Sequence, residues 1–243
     1  PQVIRTMEGM GAFIYHGYGL TETYGPHTIC AIQPGWNELP VEERARLKSR
    51  QGVPYIIAEP GLRVVGANMT DVPRDGQTMG EVVMRGNNLM SGYFNDPVAT
   101  AKAFADGWFH SGDLAVRHPD GYIELRDRAK DVIISGGENI SSQEVEKVIM
   151  EHEAVLEVCV VGVPDDRWGE VPKAFVVKRD DAEQDCTPEA LMAFARDRIA
   201  HYKVPKYVEF TDLPKTATGK IQKYILRERE WQGHERRIHG STR

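Results

Sequence analysis

The residue pattern changes near Asp127 and Arg128, and this change limits the folds open to the chain more than any other feature. Before it, short apolar runs are bounded by Gly, Pro or Asp, at residues 12–15, 55–57, 62–65 and 81–85. Asp-Gly pairs predict tight turns at residues 75–76, 106–107 and 120–121. The charged stretch 40–50 predicts a surface helix begun by Pro40. Residues 1–127 therefore predict short strands of a small β-barrel or of a sheet edge.

Beyond the change, strand and helix patterns alternate. Residues 132–134 predict a buried strand, and the flexible triplet 135–137 follows it. Helix starts are predicted at Ser141, three residues before Glu144, and at Thr187, which precedes Pro188. Further strands are predicted at residues 155–163, 174–178 and 207–210, the first of them stopped by Pro164. This α-β-β-α-β order predicts that residues 128–243 form a complete small α+β domain, and that residues 1–127 are the end of a larger one.

Composition excludes some classes of function. The net charge of −6 is spread along the chain, which argues against a nucleic-acid surface with its basic stripe. The three cysteines, Cys30, Cys159 and Cys186, lie far apart and predict free thiols. No apolar run approaches the roughly 20 residues of a membrane span, and no signal-peptide pattern is present, so a cytoplasmic location is expected. The first motif begins almost at once, at Gly11, which predicts that the chain is a fragment.

Two segments of the first half carry groups that suit a nucleotide. In residues 18–23, an aromatic ring could stack on a base, Thr21 could bond a phosphate, and Glu22 could hold Mg²⁺. A polar corner between a strand and a loop explains the same residues equally well. In residues 108–114, Asp113 could accept hydrogen bonds from both ribose hydroxyls. An Asp that only completes a turn after Gly112 is the commoner outcome.

Two further segments place cations next to glycines. Arg128 and Lys130 lie at the change of pattern, before Gly136 and Gly137, which allow a ligand to approach the backbone closely. A charged linker is the alternative, although a hinge would be useful at this position. In residues 214–221, Lys220 could place a point charge against a phosphate. This segment lacks the spacing of a P-loop, and an exposed turn before the last helix is the alternative.

In this order and at these separations, the four segments resemble the adenylate-forming superfamily. That superfamily includes acyl-CoA synthetases, aryl-CoA ligases, luciferases and peptide-synthetase adenylation domains. The resemblance covers nearly the whole chain, and residues 165–170 and 202–206 look like segments of the family's C-terminal domain. Residues 16–26 and 51–53 are similar to short- and medium-chain acyl-CoA ligases, to methylmercaptopropionyl-CoA ligases and to plant acyl-activating enzymes.

The resemblance implies an ATP-dependent acyl-CoA ligase, which joins a carboxylate to AMP, releases pyrophosphate and passes the acyl group to coenzyme A. It implies ATP, Mg²⁺ and coenzyme A as cofactors or co-substrates, a small carboxylic acid as substrate, and leaves an oligomer possible. It also implies a role for each matched residue. The residues implied to contact the nucleotide are His16, Gly17, Tyr18, Thr21, Asp113 and Arg128. Lys220 and Glu22 are implied to be catalytic, and Glu22 is also implied to bind Mg²⁺. Lys130 is implied to be the hinge, and Gly136 and Gly137 are implied to line the coenzyme A channel.

Two departures limit what the resemblance implies. The family's Gly-rich phosphate loop is not in this sequence, so the fragment alone is expected to be inactive. Ile134 stands where some relatives carry a basic residue, whose role cannot be transferred. Two other functions stay open: an adenylation module that loads a carrier protein, and a non-catalytic half-chain that regulates a partner.

Overall fold

The computed structural model describes residues 1–56, 58, 61–179 and 186–234, and divides the chain into two compact units. Unit 1 is Pro1–Ala129 and unit 2 is Lys130–Arg243. Both units mix helices with mainly antiparallel sheets, which confirms the α+β class. Among the described residues, no helix is long and apolar enough to cross a membrane.

Unit 1 contains helices and two separate sheets. Its helices are α1 (Gln2–Gly9), α2 (Val41–Lys48) and α3 (Pro97–Ala103). A three-stranded antiparallel sheet is formed by β1 (Gly17–Tyr18), β2 (Thr28–Ile29) and β3 (Val53–Pro54). A four-stranded antiparallel meander is formed by β4 (Leu62–Val65), β5 (Met79–Met84), β6 (Phe109–Arg117) and β7 (Ile123–Arg128).

The meander corrects the expected barrel. Its strands run in the order β4-β5-β6-β7, and within the described residues the first and last strands do not pair, so the sheet stays open. The predicted turns at the Asp-Gly pairs are confirmed, since Gly76, Gly107 and Gly121 have φ values of 68°, 73° and 89°. Only glycine adopts such values without steric cost.

One strand of unit 1 was predicted in the wrong place, and two helices were missed. The strand expected at residues 55–57 lies earlier, at β3; Tyr55 and Ile56 follow it, and Ile57 lies outside the described residues. Two helices, α1 and α3, were not predicted. The start of α3 had a readable signal, because Asp96 accepts a hydrogen bond from the Ala99 N–H and Pro97 occupies the first turn.

Unit 2 is a five-stranded sheet with helices on both faces. Its strands are β8 (Ile133–Ser135), β9 (Glu138–Ile140), β10 (Val155–Asp165), β11 (Gly169–Lys178) and β12 (Tyr207–Phe210), and its helices are α4 (Ser142–Ile149), α5 (Pro188–Arg196) and α6 (Lys223–Glu230). Strand order is β10-β11-β8-β9, with β12 parallel to β11. Side chains of α4 and α5 pack on one face of β10, and Leu226 of α6 packs on the other. Because both faces are covered, β10 is apolar at almost every position.

The helix caps predicted for unit 2 are confirmed. Ser141 accepts a hydrogen bond from the Glu144 N–H at 3.2 Å, and Thr187 accepts one from the Ala190 N–H at 3.2 Å. The end predicted for β10 was wrong, because the strand continues through Pro164 to Asp165. Strand β10 lies at the edge of the sheet, where a residue without an N–H is tolerated.

The flexible segment predicted at residues 135–137 is instead the turn of a hairpin. Gly136 and Gly137 have φ values of 59° and 90° and connect β8 to β9. Two consecutive residues with positive φ are typical of a tight turn between antiparallel strands. Strand β9 was missed because its residues, Glu-Asn-Ile, lack an alternating apolar pattern.

Candidate nucleotide site

Three of the predicted nucleotide residues meet in unit 1. The Tyr18 hydroxyl donates a hydrogen bond to Oδ2 of Asp113 at 2.7 Å, and Nε of Arg128 lies 3.3 Å from Oδ1 of the same carboxylate. Asp113 is only 6% exposed, so its charge is balanced by close partners rather than by water. An ionised carboxylate has about four acceptor positions. Asp113 can therefore still accept hydrogen bonds from a pair of ligand hydroxyls.

The sheet and the core explain how these side chains come together. Asp113 and Arg128 are direct partners in the ladder between β6 and β7. The Tyr18 ring belongs to an apolar cluster with Val64, Met84 and other side chains of the meander. Burial and the adjacent Asp113 carboxylate raise the pKa of the Tyr18 phenol above its ordinary value. The phenol consequently stays a neutral donor to Asp113. Asp113 lies within a strand, not on the turn considered from the sequence.

The predicted phosphate and metal residues lie on a short 3₁₀ turn, Thr21–Thr23. Thr23 is fully buried, accepts a hydrogen bond from the Leu20 N–H at 2.8 Å and donates one to the Gly25 carbonyl at 2.7 Å. These bonds fix the turn and leave Thr21 exposed. Sequence reasoning did not separate the buried Thr23 from the exposed Thr21, because the two are identical in type.

Glu22 is half-buried and held from a second loop. Tyr93 donates its hydroxyl hydrogen to Oε1 of Glu22 at 3.0 Å, and the Met90 N–H donates to the Glu22 carbonyl at 2.8 Å. Burial and this bond raise the pKa of Tyr93. No group of three or more His, Cys, Asp or Glu residues that could hold a metal occurs in the described residues. A single carboxylate nevertheless suits Mg²⁺, which is commonly held by one or two carboxylates, substrate phosphates and water.

A buried histidine that sequence reasoning missed supports this turn. His27 is fully buried; its Nε2 donates to the Gly61 carbonyl at 3.0 Å, and its Nδ1 lies 3.2 Å from the Asn88 amide nitrogen. Asn88 also donates to the Thr23 carbonyl at 3.0 Å. Burial lowers the pKa of His27 below its ordinary value. A neutral imidazole with its proton on Nε2 satisfies both contacts.

The two remaining nucleotide candidates precede this turn. His16 is half-buried, its carbonyl accepts from the Cys30 N–H at 2.7 Å, and its Nδ1 is buried with no hydrogen-bond partner in the described part of the chain. Gly17 is exposed at the start of β1. Among the described residues, neither His16 nor Gly17 forms a hydrogen bond with Asp113, so the structure groups Tyr18, Asp113 and Arg128 more closely than these two.

In unit 2, Lys220 lies on an ordered but exposed loop. A bridge between Lys215 and Ile221 closes the loop, and the Thr216 N–H donates to the Lys220 carbonyl at 2.8 Å. Gly219, with φ of 83°, makes the turn, and its N–H donates to the Thr216 carbonyl at 2.9 Å. The Lys220 ammonium forms no ion pair with any described residue of unit 2, whereas Lys215 pairs with Glu157 at 2.6 Å.

The other candidates of unit 2 have distinct surroundings. Gly136 lies against Trp168, whose carbonyl accepts its N–H at 2.9 Å, and a Cβ added to Gly136 would stand 2.6 Å from the Trp168 ring. Gly137 is exposed. Lys130 is exposed on a turn, and the next residue, Asp131, forms a buried ion pair with Arg227 of α6.

Two family models match the chain. The model described as AMP-binding enzyme matches residues 1–94, and the model described as AMP-binding enzyme C-terminal domain matches residues 144–220. An acetate–CoA ligase of Humulus lupulus is 57% identical over 231 residues, with 93% of this chain and 40% of the relative covered. A 4-hydroxybutyrate–CoA ligase of Metallosphaera sedula is 52% identical over 227 residues, with 93% and 41% covered. The chain thus spans about two fifths of the length of these curated relatives.

A solved structure agrees with these sequence matches. The o-succinylbenzoate CoA synthetase of Bacillus subtilis, in complex with its acyl-adenylate intermediate, superposes with a TM-score of 0.78 at 29% identity. The match covers 93% of this chain and 43% of that one. Among the curated relatives, an acetate/butyrate–CoA ligase of Arabidopsis thaliana is named as peroxisomal. The cytoplasmic location expected from the sequence therefore stays a prediction.

Proposed function

The chain belongs to the AMP-binding enzyme family, in its acyl-CoA synthetase branch, and we propose that the natural protein that contains it is an ATP-dependent ligase of short carboxylic acids and coenzyme A. In the first step, a carboxylate oxygen attacks the α-phosphorus of ATP and pyrophosphate leaves. In the second, the coenzyme A thiol attacks the acyl carbon, its proton is lost and AMP leaves. Both first-step substrates are anionic, so alignment and charge neutralisation are the main requirements.

The observation that carries the proposal is the buried carboxylate of Asp113 between Tyr18 and Arg128. Asp113 is proposed to accept hydrogen bonds from the ribose hydroxyls, and Arg128 to balance its charge. Tyr18, His16 and Gly17 are proposed to border the adenine and acyl positions. A single carboxylate inside a folded sheet with free acceptor positions is well suited to a diol, because each hydroxyl can donate to it and hydrogen bonds to a charged acceptor are stronger than those between neutral groups.

The phosphates are assigned to the loops. Thr21 is proposed to donate to a phosphate oxygen, and Glu22 to hold a Mg²⁺ ion, which would neutralise phosphate charge. Lys220 is proposed to stabilise the charge that develops at the α-phosphate, and the lack of an ion pair between its ammonium and any described residue of unit 2 supports that role. Lys130 is proposed as the hinge residue. Gly136 and Gly137 are proposed to border the path of the coenzyme A thiol, where the absence of side chains leaves room.

The experiment is a pair of assays on the natural protein with acetate, butyrate and 4-hydroxybutyrate. Carboxylate-dependent exchange of pyrophosphate into ATP reports adenylation, and thioester formation with coenzyme A or with a panel of carrier proteins reports the acceptor. We expect exchange with at least one acid, its loss when Mg²⁺ is chelated, and thioester formation with coenzyme A. Exchange with acyl transfer only to a carrier would make the protein a carrier-loading module. Nucleotide binding without exchange would make it a regulatory protein.

A further inference from the structure

Strand β6 carries an irregularity directly beside Asp113. In the ladder between β5 and β6, Glu81 stands opposite Leu114, and Val83 stands opposite His110. One residue of β5 therefore faces three residues of β6, among them Gly112, whose φ is 71°. Such a bulge interrupts the ladder and redirects the side chains next to it. The backbone groups that lose their ladder partners need other hydrogen bonds.

Side chains supply several of those hydrogen bonds. Oε1 of Glu81 accepts a hydrogen bond from the Gly112 N–H at 3.0 Å. Ser111 donates to the Val82 carbonyl at 2.6 Å and accepts from the Asp113 N–H at 3.1 Å. The Gly112 carbonyl accepts from the Ala129 N–H at 2.8 Å. The residue immediately before Asp113 is thus fixed by the Glu81 carboxylate.

The Glu81 carboxylate is itself held in place. Its second oxygen, Oε2, lies 2.8 Å from Nδ1 of His110, which donates to it. The side chains of Glu81 and His110 are 28% and 23% exposed, so this bond is partly shielded from water. One carboxylate therefore joins two points of the bulge, at His110 and at Gly112.

We propose that Glu81 is a positioning residue for the nucleotide site: it holds Gly112 in its left-handed conformation and so fixes the direction of the Asp113 carboxylate. The inference rests on the proposed role of Asp113 toward ribose. Without the bond, Gly112 gains backbone freedom, and Asp113 no longer presents its free acceptor positions in one direction. Small misplacements of a binding group are costly to a reaction that depends on alignment.

The same sheet offers a matched control. Glu124 and His118 form a second Glu-His pair at 2.9 Å, with side chains 31% and 17% exposed. Glu124 lies on β7, opposite Val116, away from the bulge. Replacing Glu124 removes a comparable pair without affecting the Gly112 N–H.

The experiment measures kcat and KM of the natural protein for ATP and for 2′-deoxy-ATP. We expect Glu81→Ala to raise KM for ATP about tenfold, the effect of losing one partly buried hydrogen bond to a charged group, and to leave kcat within about threefold. The preference for ATP over 2′-deoxy-ATP should fall by a similar factor. Glu81→Gln should behave like the wild type, since its amide oxygen can accept from Gly112 and its amide nitrogen can donate to the other His110 tautomer. Glu124→Ala should match the wild type both in KM for ATP and in the preference for ATP over 2′-deoxy-ATP.

A double variant tests whether Glu81 acts through Asp113. In an Asp113→Ala background, Glu81→Ala should cause no further loss of preference for ATP, because the group it positions has been removed. Should Glu81→Ala not fold, Ser111→Ala removes neighbouring bulge bonds and should give the same rise in KM.

The outcomes separate this inference from the function on which it rests. A wild type that does not adenylate any acid contradicts the proposed function. A wild type that adenylates and prefers ATP, with Glu81→Ala equal to Glu124→Ala, shows that Glu81 does not position Asp113. The same conclusion follows if Glu81→Ala lowers the preference for ATP over 2′-deoxy-ATP as much in the Asp113→Ala background as it does in the wild type.

Discussion

The carboxylate of Asp113 and the ammonium of Lys220 differ in almost every physical respect. Asp113 is buried in the meander of unit 1, with a phenol and a guanidinium already at its two oxygens. Lys220 is exposed on a closed loop of unit 2, and its backbone, not its side chain, makes the bonds that hold the loop. One group is oriented before any ligand arrives. For Lys220, the bonds within the loop fix the position of the backbone but not the orientation of the side chain.

The difference corresponds to two kinds of task. A group that recognises a ligand gains from fixed neighbours, because little conformational entropy is then lost on binding. A group that acts in only one of the two half-reactions benefits from having no ion-pair partner, because no ion pair then has to be broken before it acts. Lys215, on the same loop, shows the contrast, since it is already paired with Glu157.

The largest effect is expected from Lys220→Ala in the natural protein. Adenylation should slow about a thousandfold, the upper end for losing one donor that stabilises transition-state charge. Thioester formation from supplied acyl-AMP should stay within about threefold of the wild type, because the bonds formed and broken in that step are at the acyl carbon and not at the α-phosphorus, where Lys220 is proposed to act. Single-turnover measurements of each half-reaction test this, with Lys215→Ala as control. Equal loss of both steps would contradict the proposed role.

The second-largest effect concerns the stability of unit 2, which carries Lys220. Arg227 of α6 and Asp131 form a buried ion pair in unit 2, with side chains 9% and 10% exposed. Arg227→Met leaves an uncompensated buried carboxylate and should lower the free energy of unfolding by about 3 kcal/mol. Urea denaturation measures the change. Arg229→Met is the control: Arg229 lies on the same helix as Arg227 but forms more exposed pairs, with Glu209 of β12 and with Glu230, and its loss should cost about 1 kcal/mol or less. Equal losses of unfolding free energy in the two variants would mean that burial does not strengthen the contribution of the Arg227–Asp131 pair.

The third effect tests the preformed side of the comparison. Asp113→Asn keeps the shape of the side chain but removes the charge that Arg128 balances. Affinity for AMP should fall about 30-fold, equivalent to about 2 kcal/mol, because a charged acceptor is replaced by a neutral one. Isothermal titration of AMP into wild type and variant measures the change. Unchanged affinity would remove Asp113 from the nucleotide site.

The smallest effect concerns pH and His27, which supports the turn Thr21–Thr23 through Asn88. Burial lowers the pKa of His27 in the folded chain, so the unfolded chain binds this proton at higher pH than the folded chain does. The contribution of neutral His27 is complete above about pH 6.5 and is lost as pH falls toward the folded pKa, by at most about 1.4 kcal/mol per pH unit. Urea denaturation at several pH values should show a smaller dependence for His27→Gln. Exposed His201→Gln serves as control, and a slope unchanged in His27→Gln would contradict the assignment.

Local chemistry made some elements readable from the sequence. Ser141 and Thr187 begin helices because a short hydroxyl side chain can accept from a free N–H of the first turn. Glycines of the Asp-Gly pairs make turns because they lack a Cβ. The apolar residues of α4 and β10 fixed the type of each element, although the edge position of β10 let it run through Pro164. The residues of the candidate site were recognised by resemblance to a family, not by their local pattern.

The sequence by itself determined the change of pattern near Asp127, the turns, the helix caps and the family. Only the tertiary structure decided that Tyr18 meets Asp113 across 95 positions, that His27 and Asn88 hold the Thr23 turn, and that Glu81 bonds the Gly112 N–H. The physical reason is the range of the interactions. Caps and turns are settled within about four residues, and periodicity within one element. A buried polar bond depends on which strands pair and in which register, and one register step would turn Asp113 to the other face of the sheet.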